Sequence, residues 1–255
     1  LSPTALEGDL SVHRRAPLAE GADAAPVLLV HGTMDRGAGM ARVGRSLRDR
    51  TVVRYDRRGW GRSAALEPSD DLRVHAADLL SVAGDGPVEV IGHSMGAVIA
   101  LVAASMRPEA ITRIVAYEPP TPWEPWWPRS TPGNQAWRAG RHDTQGGDAA
   151  EAFVRSMIGV DAWDVLPEAQ RRARRADGPA LLADLAALAV PRPFDSTSIG
   201  TPVVLAHGTE SGDWHIRATS DLAALLPTAT LRTVEGAGHL APTTHPDLVA
   251  GLLRA

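Results

Sequence analysis

The chain has 255 residues and a formal net charge of −4. It contains no Cys, and all 26 of its basic residues are Arg. These counts exclude thiol nucleophiles, disulfides, cysteine-based metal centres, Schiff-base catalysis and a P-loop lysine, and the acidic balance leaves no electrostatic footprint for nucleic acid. At 44% hydrophobic and 22% charged the composition is that of a globular protein, and no apolar run reaches the ~18 residues of a membrane span.

The opening Leu1-Ser2-Pro3-Thr4 does not read as a signal peptide, and the absence of Cys fits a cytoplasmic protein. Residues 9–15 alternate weakly, as an edge strand would. Val27-Leu28-Leu29-Val30 is a short, continuously apolar run ending at His31-Gly32, the signature of a buried parallel strand. Residues 51–55 predict another strand, and 72–83 have helical spacing. Residues 88–91 predict a strand running into Gly92, residues 95–106 a buried helix stopped by Pro108, and residues 111–117 a further strand. Late in the chain come strands at 203–206 and 230–234, a helix at 215–226 between them, and a closing helix near 246–254. Strands alternating with helices predict an α/β fold with a parallel, doubly wound sheet.

Residues 119–195 break that rhythm. They open on Pro119-Pro120-Thr121-Pro122-Trp123-Glu124-Pro125-Trp126-Trp127-Pro128 and predict helices near 147–158, 167–177 and 179–189, with no strand. Such an insert reads as a helical cap (119–195) on a core made of 1–118 and 196–255. It carries Trp123, Trp126, Trp127, Trp137 and Trp163. Trp126 and Trp127, with Trp123, are the candidates for an apolar substrate pocket, because Trp offers a large, rigid contact surface. Arg171-Arg172-Ala173-Arg174-Arg175 reads as a solvated helix face, with Glu168 pairing to Arg172.

The sharpest motif is Gly92-His93-Ser94-Met95-Gly96 between an apolar strand and an apolar helix. A G-x-S-x-G pattern in that setting forms a nucleophile elbow, with the serine raised at the carboxyl edge of the sheet. A serine hydroxyl needs a base. His239, in Gly236-Ala237-Gly238-His239 after the last strand, is the best placed of the nine His; His31 and His93, beside motif glycines, read as structural. An oxyanion hole needs aimed N–H groups. Met95 N–H supplies one and Thr33 N–H, in His31-Gly32-Thr33, the other, with the Thr33 hydroxyl as a third candidate.

Taken together, His31-Gly32-Thr33, Asp56-Arg57-Arg58-Gly59-Trp60-Gly61-Arg62-Ser63, Gly92-His93-Ser94-Met95-Gly96 and Gly236-Ala237-Gly238-His239 resemble the α/β-hydrolase-fold serine hydrolases in order and spacing. The resemblance implies a mostly parallel, eight-stranded sheet with helices on both faces and a helical cap inserted after strand six. It gives residues 56–63 the role of a structural turn, without chemistry.

The same resemblance puts the third triad member, a carboxylate, on the loop after strand seven as G-x-x-D. Here that loop reads Gly208-Thr209-Glu210-Ser211-Gly212-Asp213, with Ser at the acid's place. Some family members, resembling haloalkane dehalogenases, carry a Glu at the end of strand six instead. In this chain that is Glu118, in Tyr117-Glu118-Pro119-Pro120. Glu118 is therefore the preferred acid, with Asp213 and Glu210 as alternatives. The expected activity is acyl chemistry on an ester, lactone, thioester or amide of a small hydrophobic substrate, with no metal or organic cofactor. A slow-turnover ligand-binding protein and a secondary-metabolism cyclase or isomerase are the competing readings.

Overall fold

The computed structural model describes residues 9–18, 24–143 and 145–255; the opening Leu1-Ser2-Pro3-Thr4 lies outside them. Seven strands form one sheet: β1 (Val12–Arg15), β2 (Val27–Val30), β3 (Val52–Tyr55), β4 (Val88–His93), β5 (Ile111–Tyr117), β6 (Val203–Gly208) and β7 (Ala229–Val234). Their order is β1-β3-β2-β4-β5-β6-β7, with β1 antiparallel to β3 and every other neighbour parallel.

The resemblance implies eight strands; the described residues contain seven. Ahead of β2, Val12–Arg15 are the only described residues that complete a ladder. The strand expected from residue 9 starts at Val12, because Ser11 donates its N–H to Ser63 Oγ and its carbonyl accepts from Asp56. With seven strands, the helical insert follows β5, and the Gly208 loop follows β6.

The helices are α1 (Ala41–Ser46), α2 (Leu72–Ala83), α3 (Met95–Met106), α4 (Pro132–Ala139), α5 (Gly147–Ile158), α6 (Val160–Asp164), α7 (Glu168–Arg175), α8 (Gly178–Leu188), α9 (Asp213–Leu225), α10 (Ala241–Thr244) and α11 (Pro246–Gly251). Alternation along β2 divides the core. Leu28 and Val30 pack with Leu79 of α2, Val98 and Leu101 of α3 and Leu222 of α9. Val27 and Leu29 pack on the other face with Val43 of α1 and Val249 of α11. Both faces of the sheet are therefore covered, which is why these strands read as unbroken apolar runs. Met95–Ala104 of α3 are all buried, so this helix has no polar stripe.

The segment between β5 and β6 is helical, α4 to α8. It packs through Ala136, Ala149, Ala150, Ala180 and Leu181 around Trp60. The arginine run of α7 is more than a solvated face: Arg175 reaches Asp148 and Glu151 of α5, while Glu168 holds Arg171 and Arg172. The sequence pattern does not predict helices α1, α4, α6 and α10. Helix α4 still carries a start signal, with Pro132 at its first turn and Thr131 Oγ1 accepting from Asn134 N–H. Among the described residues no helix is long and apolar enough to cross a membrane.

Helix α3 lies so close to β2 that a Cβ on Gly96 would stand against the carbonyls of Val30 and His31. Gly96→Ala is expected to cost at least the ~1–3 kcal/mol of an overpacked core. Urea unfolding measures it, and an unchanged midpoint would contradict this packing.

Candidate active site

Ser94 follows the last rung of β4 directly. The ladder runs past the predicted residue 91, pairing Gly92 with Ala116 and His93 with Tyr117 on β5, and Ser94 N–H donates to the Tyr117 carbonyl at 2.9 Å. The chain then reverses into α3 with Ser94 at φ 53° and ψ −121°, a conformation that L-residues rarely adopt. Gly92 makes the reversal fit, since a Cβ there would come within 2.7 Å of Ala97 N. Among the described residues only Met34, Ser94 and Glu118 are non-glycine residues at positive φ. Ser94 and Glu118 were singled out from the sequence; Met34 was not, and follows directly on His31-Gly32-Thr33. Each costs ~1–3 kcal/mol that surrounding structure must over-determine.

Glu118, the residue after β5, is 0% exposed. Its Oε2 accepts from His239 Nδ1 at 2.7 Å; its Oε1 accepts from Gly208 N–H at 2.9 Å and from the Ser211 hydroxyl. Burial pushes this carboxyl up, but the His239 hydrogen bond, the His239 charge and the Ser211 bond outweigh it and hold it at about 2. Asp213 and Glu210 make no side-chain hydrogen bond to His239; Asp213 is exposed at the start of α9, and Glu210 is exposed on the loop. Ser211, standing where the resemblance puts an acid, instead donates to Glu118.

With Nδ1–H engaged by Glu118, the Nε2 of a neutral His239 ring is a free acceptor. His239 and Ser94 both line the same cavity. No hydrogen bond joins them among the described residues; such contacts often tighten only when substrate is bound. The His239 carbonyl accepts from His93 Nε2 at 2.8 Å, and Tyr117 Oη donates to the Gly238 carbonyl at 3.0 Å, which ties the loop to the ends of β4 and β5.

The loop after β2 is held by a buried ion pair. Arg57 and Asp184 are each 1% exposed and bond through two nitrogens and two oxygens, at 2.9 and 2.6 Å. Arg57 also donates to the carbonyls of His31 and Gly32. Its backbone N–H donates to His31 Nε2, so His31 carries its proton on Nδ1 and donates to the Gly32 carbonyl. Burial and the Arg57 charge push His31 well below its ordinary pKa. The Thr33 hydroxyl donates to Asp184 at 2.9 Å, so it is not a free third donor. Thr33 N–H has no partner among the described residues, and Met95 N–H lies in the first turn of α3, where no intrahelical acceptor exists.

The cavity above Ser94 encloses about 330 Å³ and has no Asp, Glu or Arg in its wall. Trp123 and Trp127 line it, as do Trp137, Trp214, Phe153 and Met157. Trp126 does not; its ring lies under the Arg217 guanidinium at 4.2 Å and beside Trp127. Trp137 and Trp214 were missed because α4 and the start of α9 give no hint in sequence of facing Ser94. Arg57 was read as part of a turn. Asp184, by contrast, had a signal: it is the single carboxylate within the otherwise apolar Leu181-Leu182-Ala183-Asp184-Leu185-Ala186-Ala187-Leu188.

Glu118, His215 and His239 bring possible metal-ligating atoms within 4.8 Å of one another. The two rings are stacked at 4.1 Å and 10°, so their in-plane lone pairs run parallel instead of converging on one ion. Both Glu118 oxygens already accept hydrogen bonds. This geometry suits a carboxylate-oriented imidazole better than a metal centre.

The family model described as "Alpha/beta hydrolase family" matches residues 27–252. Lipase LipV of Mycobacterium tuberculosis is 36% identical over 113 residues, covering 44% of this chain and 42% of that protein. Polyketide synthase ThaQ of Burkholderia thailandensis is 31% identical over 252 residues, covering 91% of this chain but 12% of the synthase. The chain thus spans under half the length of the first relative and a small part of the second. Among solved structures, an alpha/beta hydrolase from Sphaerobacter thermophilus superposes with a TM-score of 0.67 at 25% identity, covering 96% of each chain.

Two outcomes test the geometry. Asp184→Ala strands the Arg57 charge and is expected to cost ~3–5 kcal/mol by urea unfolding. Glu118 titrates at about 2 when folded and at an ordinary 4.5 otherwise. Its contribution, about 3 kcal/mol, is therefore present above pH 4.5 and lost as the pH falls towards 2. Glu118→Gln should flatten stability against pH across that window; equal slopes in the two proteins would contradict the depressed carboxyl.

Proposed function

Because the chain belongs to the alpha/beta hydrolase family, we propose that it is a serine hydrolase cleaving an ester, lactone or related acyl bond of a small hydrophobic substrate. The observation that carries this reading is the 2.7 Å bond from His239 Nδ1 to buried Glu118, on a loop that lines one cavity with strained Ser94. Residues 1–118 and 196–255 serve as the core and 119–195 as the cap. Ser94 Oγ attacks the substrate carbonyl carbon while His239 Nε2 takes its proton. The developing oxyanion is held by the N–H groups of Thr33 and Met95. The bond to the leaving group breaks, and His239 returns the proton to it. Water, deprotonated by the same imidazole, then attacks the acyl-enzyme and frees the acid and Ser94. Glu118 fixes the tautomer and stabilises the imidazolium. These steps use only side chains and backbone of this chain.

The wall without formal charges favours an uncharged acyl group. A second reading, favoured by the 252-residue likeness to part of a polyketide synthase, keeps the same acyl-enzyme but takes a polyketide-like acyl group from a thioester. Parallel turnover of p-nitrophenyl esters and N-acetylcysteamine thioesters separates the two by kcat/KM.

Ser94→Ala is expected to lose about a millionfold in kcat, and fluorophosphonate should label Ser94 in the unmodified protein. Esterase activity retained by Ser94→Ala across a broad acyl-ester panel would overturn the proposal. Glu118→Gln should lower kcat by about 10⁴, whereas Asp213→Asn stays within about twofold. The reverse pattern would move the acid role to Asp213.

A further inference from the structure

His239 is packed against two other imidazoles. His93 tilts towards it with ring centroids 4.7 Å apart, and His215, in the first turn of α9, stacks on it at 4.1 Å with the planes 10° apart. Trp127 meets His215 edge-on at 6.2 Å, so the stack is continuous with the cavity wall.

Packing alone does not account for a histidine at this place. His215 Nδ1 is buried with no hydrogen-bond partner among the described residues, a desolvation cost that an aliphatic side chain would not carry. What imidazole offers and an aliphatic chain does not is a flat π face, and it is that face which meets His239. The neighbour stays uncharged: burial, then the His239 charge, lowers His215 to about 3, and burial lowers His93 to about 3. A ring that becomes a cation during proton transfer therefore meets a neutral aromatic surface and not a second cation.

We propose that His215 is a positioning residue for the base, its ring stacked on His239 to fix the imidazole plane and to offer the transient imidazolium an aromatic face. This rests on the reading of His239 as the base of Ser94.

The test compares His215→Phe, His215→Leu and His215→Ala. One readout is kcat on a p-nitrophenyl ester. The other is the second-order rate at which a fluorophosphonate labels Ser94, which does not depend on how the ester seats in the cavity. His215→Ala should lower both by about 10- to 100-fold. Phe, which keeps a neutral aromatic face, should recover most of the loss, whereas Leu, which only fills the space, should not. Leu matching Phe, Phe as impaired as Ala, or Ala within twofold of the unmodified protein would each overturn the proposal. If Ala unfolds, the Phe and Leu pair still decides. A failure of the underlying base assignment shows separately, as His239→Ala labelled at the unmodified rate.

Discussion

A carboxylate taken wholly out of water must be met by donors, and in this protein meeting Glu118 organises the carboxyl edge of the sheet. Three donors converge on it from separate places: the backbone of Gly208 where β6 ends, the Ser211 hydroxyl on the following loop, and the His239 ring beyond β7. Each comes from chain far from Glu118 in sequence, so the charge is stable only when β5, β6 and the two loops are all in place. The backbone at Glu118 is held at positive φ to aim the side chain. The same bonds orient His239, because a neutral ring that donates its Nδ1–H to a carboxylate leaves Nε2 as its basic nitrogen.

A second buried charge does comparable work at the other side of the cavity. Arg57 sits under the loop after β2 and takes its counter-ion from α8, within the insert that follows β5. Since Arg57 also holds the His31 and Gly32 carbonyls, and Asp184 the Thr33 hydroxyl, insert and loop share one network. In the proposed mechanism that network aims the Thr33 N–H at the developing oxyanion. Breaking one partner would leave a bare charge in an apolar interior, so the insert is anchored at this point.

The surroundings of the site are largely apolar. Tryptophans, Phe153 and Met157 shape a chamber with no formally charged side chain in its wall. A hydrogen bond or a developing charge in such a place is screened less than in water, which increases the value of a few well-aimed N–H groups. The histidines around His239 fit the same design: they bring aromatic surface to that ring, and burial disfavours a competing charge on them.

Local pattern was sufficient for much of this protein. Unbroken apolar runs marked strands buried on both faces, and a strand, the Gly92–Gly96 motif and an apolar helix marked the turn at Ser94. The proline-rich break after Glu118 marked where strand–helix alternation gives way to helices α4 to α8, and the departure at Ser211 directed attention to Glu118. These features are local, because period, turn chemistry and residue type act over a few neighbouring positions. What the chain order could not express is which distant groups meet. Tertiary structure alone decided that Ser211 serves Glu118, that Arg57 finds Asp184, that the Thr33 hydroxyl is spent on that pair, and that Trp137 and Trp214, not Trp126, face the cavity. It also decided that His215 stacks on His239. Each depends on packing between elements far apart in sequence, where burial makes an unpaired charge or polar group too costly to leave and so selects its partner.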